Sequence, residues 1–346
     1  MRLVTRADFD GVVCGALVTL MEDAVDSFLF VEPKFMQDGM VDIHPGDIIA
    51  NLPYHPNCTL WFDHHITNAP AWEKHIRVPG SGFRVPGSQP PTPNSQFPVI
   101  VPGKGGFRIA PSAARVVYEY YTSVANHESR VASSPPQNPT PDTRHPTPDV
   151  LNSDRIKFLL EETDKIDAAL LTREDVLNPQ GYVLISMTID GKRPEDEPYW
   201  MKLIELLREA SLEQTLADPE IARRCRQILD DQEKLKKILL ARTALRGNVI
   251  VTDLRGVKDL PDGNRFLLYT LFPGSNISLK IGDDSQRANA TAISVGYNIF
   301  NTTSKVNVGA LMEKHGGGGH HVVGSCRVPK REAEKHIREI FEAIRE

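Results

Sequence analysis

Two short apolar runs, Arg2–Thr5 and Thr59–Phe62, each give way at once to ionisable residues: RADFDG after the first, Asp63-His64-His65 after the second. Short stretches with apolar centres, Leu3-Val4 and Leu60-Trp61-Phe62, read as strands buried on both faces, and such strands belong to parallel sheets. After Asp10 the residues Val12, Val13, Ala16, Leu17 and Leu20 recur at helical spacing, so the order is strand, tight acidic loop, helix. Ser27–Val31 and Asp47–Ala50 add further strands of the same kind. The expected fold class is α/β with a parallel sheet, in which ligands gather beyond the carboxyl ends of the strands. Both polar clusters stand at such ends.

The middle of the chain has a different character. Residues 79 to 148 carry 14 of the 26 prolines, and proline supplies neither helix nor ladder hydrogen bonds. Proline-rich inserts near 79–108 and 126–150 are therefore expected as loops or disordered segments. Between them, PSAARVVYEYY reads as a packed helix, with Pro111 in its first turn and Ala114, Val117, Tyr118 and Tyr121 on one face. Asp154 to about Thr172 is expected to be helical, and Gly181–Ile189 a strand or buried apolar segment. Tyr199–Leu245 reads as a helical bridge broken at Asp218-Pro219. After Gly247, β-type runs at Asn248–Leu254, Asn276–Ile281 and Ala290–Val295, then an amphipathic helix from Lys330, form a second, smaller α/β unit.

Bulk properties exclude several function classes. Forty basic against 45 acidic residues give a net charge of -5, which is not the footprint of a protein that grips long duplex DNA. Four scattered cysteines with no CxxC pair argue against a zinc ribbon or disulfide framework and suit a reducing cytoplasm. MRLVTRADFD has no apolar signal core, and no stretch approaches the roughly 18 apolar residues of a membrane span. A cytoplasmic protein with no membrane partner is expected.

Four constellations could carry chemistry. Asp8 and Asp10, two apart in a loop after a strand, can both turn toward one hard divalent cation, although such a pair also serves as an acidic helix cap. Asp63-His64-His65 offers an imidazole ligand, a carboxylate to orient a histidine, and a second histidine for a phosphoryl oxygen. Glu161-Glu162-Thr-Asp164-Lys165-Ile-Asp167 offers another carboxylate, against the ordinary reading of a solvated helix face. Gly316 to Gly319 followed by His320 and His321 would let backbone N–H groups approach an anion, unless the glycines are a flexible linker.

In this order the four pieces resemble the DHH phosphoesterase superfamily. TRADFDGVVCGAL, NLPYHPNCTLWFDHH, PSAARVVYEYY, ETDKID and GGGGHHVVG look most like its bacterial exopolyphosphatase-related subgroup, with a C-terminal DHH-associated domain. The resemblance implies an N-terminal catalytic domain over 1–195, a helical linker over 196–246 and a substrate-binding domain over 247–346, with the active site in a cleft between domains. It implies Mn2+ or Mg2+ held by Asp8, Asp10, His64 and Asp164, with Asp63 orienting and His65 contacting phosphate or donating a proton. Gly317, Gly318, Gly319 and His320 would hold a substrate phosphate, and Lys305 a second phosphate or terminal group.

The sequence departs from the family pattern where Val4 replaces a histidine, Asn51 replaces a metal-bridging aspartate, and His321 replaces a basic residue or proline. An amide oxygen can bind a metal but bridges two cations less well than a carboxylate, so one tightly held metal with a weaker second one is admissible beside full two-metal occupancy. The function implied is hydrolysis of a phosphoanhydride or phosphoester by metal-activated water. Polyphosphate, a nucleotide or a short oligonucleotide would serve as partner, and a homodimer is admissible. With no aromatic residue beside the glycines, terminal or inorganic phosphate is favoured over a base-containing ligand. The competing reading is a weakened scaffold that binds nucleotide without cleaving it.

Overall fold

The computed structural model describes residues 1–76, 99–101, 103–132, 148–284 and 286–345. Most of the two proline-rich inserts, 77–98 and 133–147, lies outside the described residues. By contact the chain divides into one unit of Met1–Leu170 with Gly181–Ala222, and another of Leu171–Gln180 with Arg223–Glu346. The bridge expected over 196–246 is thus shared: the helices Glu197–Glu209 and Leu212–Ala217 belong to the first unit, and most of the helix Pro219–Arg242 to the second.

The first unit is built on strands β1 (Arg2–Thr5), β2 (Ser27–Phe30), β3 (Ile48–Ala50), β4 (Leu60–Asp63), β5 (Val99–Val101) and β6 (Gly105–Phe107). Their order is β2-β1-β3-β4-β6-β5, parallel throughout except for β5 against β6. Val4, Ile49 and Trp61 lie level on neighbouring strands, with Gly105 completing the row. All three side chains are fully buried, which is why these strands are apolar at their centres rather than alternating. Gly105 has φ of +115°, and a Cβ there would sit 2.0 Å from the Trp61 carbonyl oxygen, so only glycine lets β6 close on β4. Trp61→Ala is expected to cost about 3–5 kcal/mol of stability, readable as a shifted midpoint in urea denaturation.

The first proline-rich insert, expected as a loop or disordered segment, is not loop throughout. Residues 99–101 and 105–107, inside the first proline-rich insert, are strands, because β4 offers an edge to β6 and β6 in turn pairs with β5. Of the two readings for Gly181–Ile189, a strand or a buried apolar segment, the structure shows the second: Gly181–Ser186 is a helix with Tyr182, Val183, Leu184 and Ile185 buried, since a continuous apolar run fits a buried helix as well as a strand. The helix expected around PSAARVVYEYY spans Ala113–Ala132, leaving Pro111 just outside its first turn. Among the described residues, no helix is long and apolar enough to cross a membrane.

The second unit contains β7 (Thr243–Arg246), β8 (Val249–Asp253), β9 (Ile277–Asp283), β10 (Ala290–Tyr297), β11 (Gly318–His320) and β12 (Val323–Pro329). These form a sheet in the order β11-β12-β10-β9-β8-β7, antiparallel except for β8 with β9. The terminal helix Ala333–Ile344 packs Ala333, Ile340 and Ile344 into a core with Val249, Ile277, Leu279, Ile293 and Val328.

Candidate metal centre

The parallel order of β1, β3 and β4 brings three carboxyl-end segments side by side: Asp8 after β1, Asn51 after β3, and Asp63-His64-His65 closing β4. The helix Phe9–Met21 starts immediately after β1, and Asp8 caps it, its Oδ1 accepting the Gly11 N–H at 2.9 Å. Gly11 is required by this turn, because a Cβ there would lie 2.0 Å from the Arg6 carbonyl oxygen. Asp8 also accepts a hydrogen bond from Asn51 Nδ2 at 3.1 Å and pairs with Arg6 at 3.1 Å.

Asp10 turns the other way. Its two oxygens accept the N–H groups of Ala113 and Ala114, at 2.9 and 2.8 Å, at the start of the helix Ala113–Ala132. An N-terminus with orphan donors favours such a carboxylate. Burial pushes the Asp10 pKa well above the usual range, the charges of Asp167 and Asp8 add to this, and the two N–H groups oppose it. This is a set of crowded carboxylates that a cation would relieve.

His64 completes the arrangement. Its Nδ1 donates to the Ala110 carbonyl at 2.9 Å, so in the neutral ring the lone pair lies on Nε2. That Nε2 is buried and has no hydrogen-bond partner. It faces Asp167 Oδ2 at 3.5 Å and Asp10 Oδ2 at 3.8 Å. Two metal–ligand bonds of about 2.1 Å span at most roughly 4.2 Å, so these spacings suit a divalent cation shared among the three. A backbone carbonyl fixing the far nitrogen is how a histidine ligand is held in register.

Beside it, Asp63 is fully buried, with Oδ1 bound to His65 Nδ1 at 2.8 Å and Oδ2 accepting from Asn68 Nδ2 at 2.6 Å. Burial lowers the His65 pKa, but the hydrogen bond and charge of Asp63, with the charge of Asp167, outweigh it and hold the ring above the ordinary imidazole value. Replacing Asp63 with asparagine is expected to cut turnover by about 10–100-fold, checked by steady-state kinetics at saturating metal.

Asp164, the expected ligand, is engaged elsewhere. It accepts Ser112 Oγ at 2.6 Å and a forked pair of bonds from Arg115 at 2.6 and 2.9 Å. Asp167, about 4.5 Å further along the same helix, takes the place at His64. Asn51 sits in the left-handed region at φ 58°, a conformation asparagine tolerates better than most residues. Its amide nitrogen orients Asp8, while its buried Oδ1 has no hydrogen-bond partner. Val4, standing where the family pattern has a histidine, is fully buried in the core with Ile49 and Trp61. Arg6, Asn68 and the Ala110 carbonyl were not singled out in the sequence; only Arg6, two residues before Asp8, left a visible signal.

The residues expected to hold phosphate all lie in the second unit. The side chains of Lys305 and His320 are exposed. Gly318–His320 is strand β11 paired to β12, and the Gly317 N–H donates to Met312 O at 2.9 Å. A Cβ on Gly317 would lie 2.0 Å from Ser325 O, and one on Gly319 would lie 2.3 Å from Val323 O. Close strand packing is thus a sufficient reason for these two glycines, separate from anion binding.

No protein-family model matches the sequence, and no curated protein sequence matches it. Among solved structures, the pGpG-specific phosphodiesterase PggH from Vibrio cholerae is 30% identical, with a TM-score of 0.72 over 99% of this chain and 98% of that one. RecJ from Thermus thermophilus, in complex with Mn2+, aligns with 99% of this chain and 52% of its own at 14% identity and a TM-score of 0.51. The second likeness concerns the fold. The first spans both chains end to end, and the chain belongs to the DHH phosphoesterase superfamily.

Proposed function

We propose that this chain is a metal-dependent phosphodiesterase that cleaves a short oligonucleotide, a dinucleotide of the pGpG type, into mononucleotides. The observation that carries the chemistry is the buried, unpartnered Nε2 of His64 facing oxygens of Asp10 and Asp167. The substrate class rests on the end-to-end likeness to PggH.

Asp10, His64 and Asp167 would hold Mn2+ or Mg2+, with Asp8 and the Asn51 amide oxygen beside them. Bound there, such an ion supplies a nucleophilic water at neutral pH and screens phosphoryl charge. The remaining work falls to protein groups. Asp63 fixes His65 through Nδ1, which leaves Nε2 to donate a proton to the departing oxygen. Arg6, paired with Asp8 and partly exposed, adds a fixed positive charge for a non-bridging phosphate oxygen. Lys305, His320, Gly318 and Gly319, all in the second unit, are the groups we assign to phosphate binding.

Val4 in the core and the Asn51 amide at Asp8 favour a second reading, a scaffold that binds nucleotide without cleaving it. A panel of pGpG, longer oligonucleotides, cyclic dinucleotides, pAp and polyphosphate, assayed with Mn2+, separates the two. Release of mononucleotide from pGpG supports the proposal. Phosphate release from polyphosphate alone moves the substrate to inorganic phosphate chains, and tight pGpG binding without product supports the scaffold.

A further inference from the structure

The second unit carries a metal-ligand constellation that the proposed chemistry does not use. His315 lies between the helix Val308–Glu313 and the glycine run, and its Nδ1 is 2.8 Å from His336 Nδ1. His336 and Glu339 are three residues apart on the helix Ala333–Ile344, which puts them on one face. Glu339 Oε2 lies 4.0 Å from His315 Nδ1. One ligand atom from each residue falls within 4.8 Å of the other two.

We propose that His315, His336 and Glu339 form a binding site for a transition-metal ion of the Zn2+ type, which fastens the residue preceding the glycine run to the terminal helix. Two imidazoles and one carboxylate suit Zn2+ far better than Mg2+, and leave a fourth position for water. Zn–N and Zn–O bonds of about 2.0–2.2 Å together span roughly 4.2 Å, so the gaps of 2.8 and 4.0 Å bracket one ion. The two imidazole nitrogens have to part slightly and Glu339, which is half exposed, has to swing inward. Lys335, at 4.0 Å from the other Glu339 oxygen, is an exposed and weakly competing partner. Burial lowers the His315 pKa, with the positive charges of His336 and Lys314 acting the same way against Glu339, which favours the neutral ring that binds metal.

The consequence is local and mechanical. The Gly316 and Gly317 N–H groups bond back to Glu313 O and Met312 O, and β11 begins at Gly318. An ion on His315 would therefore stiffen the entry to β11 and raise the stability of the second unit.

Zn2+ and Co2+ are titrated into full-length protein carrying His64→Ala, which disables the first-unit site. We expect one equivalent to bind, with the visible absorption of tetrahedral Co2+ and a raised melting temperature. His336→Ala in that background should weaken binding by at least the 10–100-fold that losing an outer-shell partner costs. Glu339→Gln, on an exposed side chain, should weaken it less and guards against misfolding of the first variant. No retained Zn2+ in the His64→Ala protein, or binding unchanged by both substitutions, would leave a simple His–His hydrogen bond and overturn the proposal.

Discussion

Asp167→Ala is expected to lower kcat/KM by at least about 1000-fold while leaving the fold intact, whereas Asp164→Ala should act first on stability. The two carboxylates share one helix, yet their partners differ. Asp167 faces His64 Nε2 at 3.5 Å, so its loss opens the ligand set and removes transition-state stabilisation of about 4 kcal/mol, which is what a 1000-fold loss represents. Asp164 is clasped by Ser112 and Arg115. Its loss leaves a mostly buried guanidinium and hydroxyl unsatisfied, at a cost of about 1–3 kcal/mol. Urea denaturation and steady-state kinetics on both variants separate the effects. Equal activity losses with equal stability losses would remove the distinction.

Asp10→Ala should abolish activity and destabilise the protein together, because one side chain serves two purposes. Its oxygens receive the N–H groups of Ala113 and Ala114 while one of them faces His64. Removing a helix-capping carboxylate costs about 0.5–2 kcal/mol, and removing a metal-facing one takes the activity below detection. Asp10→Asn keeps a single oxygen acceptor and should recover part of the stability but none of the activity. Melting temperature and metal-dependent turnover on the two variants check this; recovery of activity with asparagine would mean that Asp10 acts only as a cap.

The limits of sequence reading follow from the same residues. β1 and β4 were legible because both faces of each strand are buried, leaving no polar alternation. β6 was not, since Gly105-Gly106-Phe107 has no strand signature and owes its pairing to β4, more than 40 residues earlier. The DHH triplet stood out because its residues are consecutive. The choice between Asp164 and Asp167 was hidden because both fall near one helix face, and Ser112 and Arg115 decide it from a distant segment. The tautomer of His64, set by the Ala110 carbonyl, leaves no trace in side-chain identity at all.

The most direct test is hydrolysis of pGpG by metal-stripped protein titrated with Mn2+, run beside His64→Ala with Mn2+ binding measured on both. Two molecules of 5′-GMP per pGpG, appearing only with Mn2+ and lost along with ion binding at the first-unit site in the variant, are predicted. Hydrolysis that persists in chelator, or that survives His64→Ala, would contradict a catalytic metal held by Asp10, His64 and Asp167.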